Sequence, residues 1–176
     1  MDNIFKNILF TGKRNIGKST LVNEILLENL IGYGGFRTLP YYIKGEEAGY
    51  YMECYCDEII SNPPISFKIG ERKPVSIKEA FDLIGVDILE KSLVDNKRKI
   101  ILLDEIGVLE ECSPKFKDKI IEVLMSDKPC LGVIKKKDSE FLNDIRSLKN
   151  TLIIDLEKTQ DFRYIKRKAI EIINSN

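Results

Sequence analysis

Two hydrophobic rhythms take turns along the chain: short continuous apolar runs, and stripes recurring at helical spacing. Ile4-Phe5-Lys6-Asn7-Ile8-Leu9-Phe10 is the first run and reads as a strand. Leu21, Val22, Ile25, Leu26 and Leu30 follow at helical spacing and predict a helix. Gly32-Tyr33-Gly34-Gly35 breaks that pattern and predicts a flexible loop. Arg37 to Ile43 and Gly49 to Cys56 are aromatic-rich β-type runs on either side of Lys44-Gly45-Glu46-Glu47-Ala48, which predicts an antiparallel hairpin. Asn62-Pro63-Pro64 ends it. Ile65 to Ile69 forms a further short strand, turned by Gly70-Glu71-Arg72-Lys73. Ser76 is expected to cap a helix carrying Ile77, Ala80, Phe81, Ile84, Ile88 and Leu89, despite Gly85.

From Ile100 onward the rhythm is β-α-β-α. Ile100-Ile101-Leu102-Leu103 is apolar at every position, as a strand buried on both faces of a parallel sheet must be. Ser113-Pro114 places an N-cap before a proline at the first helical position, with Phe116, Ile120, Ile121 and Leu124 facing inward. Pro129 to Ile134 reads as a strand, Ser139 to Leu148 as a helix and Thr151 to Leu156 as a strand. Phe162, Ile165, Ala169 and Ile172 stripe a last helix. Alternation of this kind predicts an α/β fold, a mostly parallel sheet between two helical layers. The expectation is one domain over residues 1–176, with a β-hairpin insertion at about 34–75.

The first strand and helix bracket Gly12-Lys13-Arg14-Asn15-Ile16-Gly17-Lys18-Ser19, which fits G-x-x-x-x-G-K-[ST], the phosphate-binding loop. Strand, glycine-bounded loop and helix in that order suit the chemistry. Backbone N–H groups of the loop turn inward on phosphate oxygens, and the helix N-terminus adds partial positive charge. Residues 12–20, from Gly12 to Thr20, are therefore expected to bind nucleotide. Lys18 would reach the β- and γ-phosphates, and the Ser19 hydroxyl would ligate Mg²⁺.

A second half of the site follows the buried strand. Asp104 stands at its end, where an aspartate supports nucleotide-bound Mg²⁺. Glu105 is expected to point to the other side and to orient water against the γ-phosphate. Glu110 and Glu111 read as solvent-exposed or first-turn helix carboxylates.

Composition narrows the chemistry further. Lys+Arg and Asp+Glu balance at 28 each, so no long-range field draws in nucleic acid or an anionic membrane. Histidine is absent, so acid–base work falls to carboxylates or lysines. Cys54, Cys56, Cys112 and Cys130 lack zinc spacing, and reduced thiols in a cytoplasmic protein are expected. No apolar run has the length of a membrane span.

The loop Thr11–Thr20, the segment Gly35-Phe36-Arg37-Thr38 and the string Asp104-Glu105-Ile106-Gly107-Val108-Leu109-Glu110 together resemble the cancer-related nucleoside-triphosphatase family of small phosphate-loop proteins. The resemblance runs in outline through Phe116 and Leu131–Ile134. It implies a RecA-like P-loop fold and slow Mg²⁺-dependent hydrolysis of ATP, GTP and other nucleoside triphosphates. Lys18 and Glu105 would be catalytic, with Ser19 and Asp104 on the metal.

The chain departs from that family in three places. Leu39-Pro40-Tyr41-Tyr42 stands where acidic residues and an arginine are usual. Val108 replaces a lysine, and Thr159-Gln160-Asp161 does not match an asparagine–arginine pair. Lost positive charge near the γ-phosphate would weaken turnover or make it depend on a protein partner. Arg14, Arg37 and Arg146 are candidates to substitute, with Arg146 preferred as the catalytic cation. Two alternatives stand beside hydrolysis. One is a GTPase-like switch, because Asp104–Gly107 satisfies D-x-x-G and Lys135-Lys136-Lys137-Asp138 sits where guanine readers carry N-K-x-D. The other is a nucleotide or nucleoside kinase. The Lys135–Asp138 run reads otherwise as a solvated turn.

Overall fold

A computed structural model of the chain describes residues 5–29, 32–57, 61–159 and 161–175. The expected strand residue Ile4, helix residue Leu30 and loop residue Gln160 lie outside them. Eight strands form one sheet in the order β5-β4-β3-β2-β6-β7-β1-β8. The parallel part is β1 (Asn7–Thr11), β2 (Tyr33–Ile43), β6 (Ile100–Ile106), β7 (Cys130–Ile134) and β8 (Thr151–Asp155). Antiparallel β3 (Glu46–Cys54), β4 (Pro64–Phe67) and β5 (Val75–Ser76) extend its far edge. The segment 34–75 is therefore a continuation of the main sheet.

The central strands alternate their side chains between two cores, which is why they read as unbroken apolar runs. Leu9, Ile101 and Leu103 join one core with Phe81, Phe116, Leu124 and Leu142. That layer is built by α2 (Val86–Val94), α3 (Pro114–Met125) and α4 (Glu140–Ser147). Ile8, Phe10, Ile100 and Leu102 join the other, with Val22 and Ile25 of α1 (Lys18–Asn29) and Ile165 and Ile172 of α5 (Phe162–Asn174). Fully burying a residue of this size contributes roughly 1.5–3 kcal/mol, so the two cores hold the helices to the sheet.

Helix entries follow the capping chemistry. Ser113 Oγ accepts from Phe116 N at 3.1 Å ahead of Pro114, and Ser139 and Asp161 cap α4 and α5 the same way. Ser76 does not cap. It sits in β5 paired with Ser66, and helical backbone begins at Lys78. The helix then widens into a π-helical turn over Ala80–Gly85, where a Cβ on Gly85 would come within 2.7 Å of the Phe116 ring. Phe162, expected on the inner stripe of α5, is 38% exposed.

The expected loop at Gly32–Gly35 is instead the start of β2. Gly34 and Gly35 are buried in the sheet, and their lack of side chains serves close approach. A Cβ on Gly34 would meet Ser92 Oγ at 2.6 Å, and one on Gly35 would meet Leu102 O at 2.1 Å. Ser92 Oγ accepts from Gly35 N at 2.8 Å and donates to Ile88 O at 2.7 Å, fastening α2 to β2. At the other end of β2, Lys44 (φ 52°) and Gly45 (φ 87°) form a two-residue hairpin turn with positive φ at both positions.

Gly35 and Gly45 therefore have different sensitivities. Gly35→Ala combines overpacking with positive φ and should destabilise by about 3 kcal/mol or more. Gly45→Ala, with nothing within 4 Å of the added Cβ, should cost about 1 kcal/mol. Urea denaturation midpoints of the two variants check the order; equal midpoints would contradict it.

Candidate active site

The loop between β1 and α1 takes its shape from residues that tolerate positive φ: Gly12 (138°), Asn15 (64°) and Gly17 (100°). Lys18 is nine-tenths buried, and its Nζ donates to Gly12 O at 3.0 Å and Lys13 O at 2.8 Å. The ammonium thus lies across the loop mouth. Gly12, Arg14, Asn15, Gly17, Lys18, Ser19 and Thr20 all line one cavity of about 650 Å³. Lys13 and Ile16 do not line it. The Lys13 amide is held by Glu157 Oε1 at 3.1 Å, and Ile16 packs on the core beneath α1.

β6 brings the acidic pair to the same cavity. Asp104 is only 3% exposed, and Ser19 Oγ donates to its Oδ1 at 3.2 Å. Arg37 Nε donates to Asp104 Oδ2 at 3.0 Å, and Arg37 Nη2 to Asn23 Oδ1 at 2.5 Å. Burial raises the Asp104 pKa above the usual carboxylate value, while the Arg37 guanidinium opposes that rise. The β6–β7 register jumps between Asp104 and Ile106, leaving Glu105 outside the ladder. Its half-buried carboxylate meets Lys135 Nζ at 3.2 Å.

The cations are arranged differently from the expectation. Arg37 is engaged by Asp104, and exposed Arg14 lies 3.4 Å from Glu47 of the hairpin. Arg146 is not among the lining residues of the main cavity. Its Nη2 donates to Lys135 O at 2.6 Å and its Nη1 to Asn143 Oδ1 at 2.8 Å. Lys135 is the residue that reaches in, its chain lying over Gly107, where a Cβ would be 2.9 Å from Lys135 Cδ. Lys136 pairs with Asp155 and Glu157. The Lys135–Asp138 run, which reads as a solvated turn, is thus divided between the cavity wall and two ion pairs. One signal was available: the run begins one residue after β7, a central strand ending at the same edge as β6.

Glu110 stands in the first turn of the short helix Glu110–Cys112, one of its two expected settings, but it is not solvent-exposed. Only 1% exposed, it lines the cavity, and its Oε2 accepts from Gly107 N at 2.9 Å. The turn after β6 curls back and uses this carboxylate to satisfy an amide that the strand ladder has left. Burial pushes the Glu110 pKa up to about 7. Its position three residues past Gly107 is a capping distance, a signal that a charge-based reading overlooks. Glu111 is exposed as expected.

The hairpin roofs the cavity with Thr38, Pro40 and Tyr50. Glu47 joins this roof to the loop and to the residue after β4, accepting from Tyr50 OH at 3.2 Å and pairing with Arg14 and Lys68. Thr38 Oγ1 is buried and has no hydrogen-bond partner among the described residues. No group of three His, Cys, Asp or Glu side chains suited to a metal occurs among them either. The donors at the loop, Ser19 and Asp104, are two hard oxygens. That set fits Mg²⁺, which is held by one or two protein ligands, substrate phosphates and water.

Known proteins resemble this chain in sequence and in fold. The family model described as NTPase matches residues 7–168. A nucleoside-triphosphatase THEP1 of Thermotoga petrophila is 31% identical over 88% of this chain and 86% of its own. One from Methanocaldococcus jannaschii is 32% identical over 86% and 91%. Two solved structures share the fold: THEP1 from the hyperthermophile Aquifex aeolicus and a human cancer-related nucleoside triphosphatase. Each has a TM-score of 0.72, with 23% and 20% identity over 95% and 97% of this chain and 98% of its own.

The buried Glu110 predicts a pH dependence of stability. The folded protein holds the Glu110 proton up to about pH 7, whereas the unfolded chain releases it near 4.5. Stability should therefore fall as pH rises from about 4.5 to 7, by as much as about 3 kcal/mol at 1.4 kcal/mol per pKa unit. Carboxylates held below their usual range, such as Asp155 and Glu157, titrate beneath this window. Glu110→Gln keeps an acceptor for Gly107 without a proton to lose. It should match the parent at pH 5 and exceed it at pH 8 in denaturation midpoint. An unchanged difference between those pH values would contradict the assignment.

Proposed function

The chain belongs to the NTPase family, a hydrolase family of nucleoside-triphosphatases, and on that premise we propose that this cavity hydrolyses ATP, GTP and other nucleoside triphosphates with Mg²⁺. The observation that carries the reading is convergence. Lys18 and Ser19 on the loop, and Asp104 and Glu105 some 85 residues later, line one cavity, with Ser19 and Asp104 already hydrogen-bonded.

Residues 12–20 cradle the phosphates, with Lys18 Nζ leaving its carbonyl partners for the β- and γ-phosphate oxygens. Ser19 and Asp104 hold the metal, which when bound neutralises phosphate charge and polarises the γ-phosphoryl group. Glu105 orients the attacking water and accepts its proton. Lys135, 3.2 Å from Glu105, supplies the positive charge on the attacking side that Arg146 was expected to supply. Arg146 positions it by holding the Lys135 carbonyl. Phosphate and metal contacts dominate affinity, so preference among bases is loose. A guanine-reading switch is less well supported, because Lys135 faces Glu105 and the Asp138 carboxylate accepts from Asn143 Nδ2 at 2.6 Å. The four cysteines are free thiols, which supports a reducing, cytoplasmic setting, and no described helix is long and apolar enough to cross a membrane.

Three substitutions separate binding from chemistry. Lys18→Ala should abolish calorimetric binding of ATP, and Asp104→Asn should weaken both metal-dependent binding and turnover. Glu105→Gln should retain binding and lose roughly 10²–10⁴-fold in kcat, as expected for a removed general base. Parental phosphate release by Glu105→Gln would sink the assignment of the base.

The cation assignment has its own test. Lys135→Gln should lower kcat by about 10²-fold with KM little changed, the scale of one lost transition-state donor. Arg146→Gln, acting through a backbone carbonyl, should lose about tenfold or less. The reverse order of effects would return the role to Arg146.

A further inference from the structure

Arg37 stands behind Asp104 under more restraint than charge compensation requires. It lies directly beside Asp104 in the β2–β6 ladder, so the two side chains leave the sheet on the same face. α1 lies on that face, and its Ser19 and Asn23, four residues apart, share one side of the helix. Arg37 Nε donates to Asp104 Oδ2 at 3.0 Å, and its Nη2 donates to Asn23 Oδ1 at 2.5 Å. The guanidinium carbon is 5.9 Å from the centroid of the Tyr55 ring. With its side chain 14% exposed and its planar head held by three residues, Arg37 has little freedom to turn. Neither Arg37 nor Asn23 lines the cavity, so whatever they do there passes through Asp104.

These contacts divide the Asp104 carboxylate in two. Oδ2 is committed to Arg37, while Oδ1 meets Ser19 Oγ at 3.2 Å. An aspartate restrained in this way offers a metal one oxygen rather than a bidentate pair. That difference separates two hard cations. Ca²⁺ takes about six to eight oxygens in flexible geometry and accepts carboxylates bidentately, whereas Mg²⁺ demands an octahedron and keeps several waters. A single fixed oxygen suits Mg²⁺ and serves Ca²⁺ poorly. Residues that hold a ligand without touching the metal shift metal affinity by roughly 10–100-fold when removed. Charge acts differently, because a guanidinium repels both divalent cations alike and so changes affinity without changing preference.

We propose that Arg37, braced by Asn23, is a positioning residue that makes the Ser19–Asp104 site select Mg²⁺ over Ca²⁺. The inference rests on the assignment of Ser19 and Asp104 to the metal given above. Arg37 occupies Oδ2 and prevents the carboxylate from turning both oxygens toward a cation. Asn23 keeps the guanidinium from following the carboxylate if it rotates.

The test titrates the full chain with ADP by calorimetry in saturating Mg²⁺, in saturating Ca²⁺ and in EDTA. The parent should bind ADP about tenfold more tightly with Mg²⁺ than with Ca²⁺. Arg37→Met, which keeps the stem and removes the donors, should bring that ratio to about one. Asn23→Ala keeps the charge and alters only an exposed side chain. It should lower the ratio by about threefold, with affinity in EDTA within about twofold of the parent. Equal changes with both metals in Arg37→Met, or an unchanged ratio in Asn23→Ala, would overturn the proposal. If Arg37→Met loses ADP binding in EDTA as well, its loop is disrupted and the ratio in Asn23→Ala decides. A parent that binds ADP equally with Mg²⁺ and Ca²⁺, yet more weakly in EDTA, would overturn the selection and leave the metal assignment standing. A parent whose ADP affinity is the same in all three solutions would overturn the metal assignment itself.

Discussion

A carboxylate buried as deeply as Asp104 is stable only with partners, and supplying them joins three distant segments. Ser19 comes from the start of α1, Arg37 from β2 and Asp104 from β6. Removing a carboxylate from water costs several kcal/mol unless hydrogen bonds and an opposite charge compensate. Arg37 and Ser19 do so here without neutralising the site. The raised pKa of Asp104 shows that desolvation still outweighs its partners. The same ion pair fixes Arg37, which is why that arginine does not face the cavity.

The sheet makes this meeting possible. β1, β2, β6, β7 and β8 run parallel, so their carboxyl ends lie on one edge and every loop that follows them opens toward the same space. β7 lies between β1 and β6, which separates the phosphate loop from the acidic pair by one strand and brings Lys135 between them. Side-chain-free contacts at Gly34 and Gly35 let β2 press against α2 and β6, and that packing sets the position of Arg37 and Thr38 farther along the strand. The hairpin beyond is fastened to the loop through Glu47, so the Arg14–Glu47 ion pair links the roof of the cavity to its floor.

Features with local causes were legible in the sequence. The phosphate loop, the apolar core of β6, the Ser113-Pro114 helix start and the alternation of strands and helices each depend on neighbouring residues, and each is where the pattern placed it. Features with tertiary causes were not. Gly34 and Gly35 carry the composition of a loop, yet their cause is the approach of Leu102 and Ser92. Ser76 has the chemistry of a cap, but β4 claims it for a strand. Glu110 looks like surface charge until the turn after β6 folds it under Gly107. Arg146 was preferred for its charge and helix. Lys135, eleven residues earlier, enters the cavity instead, because Gly107 leaves room for its stem. Propensity and spacing describe which backbone a residue prefers; they carry little about which side chain a distant segment will need.

The most direct measurement is the structure of the protein with Mg²⁺, ADP and aluminium fluoride, which mimics the transferring phosphoryl group. The expected complex has Mg²⁺ on Ser19 Oγ with Asp104 supporting its water shell, and Lys18 and Lys135 against the fluorides that stand in for the γ-phosphoryl oxygens. The Glu105 carboxylate should accept a hydrogen bond from the axial water. A complex in which Glu105 lies away from that water, or in which the nucleotide phosphates bind outside residues 12–20, would contradict it.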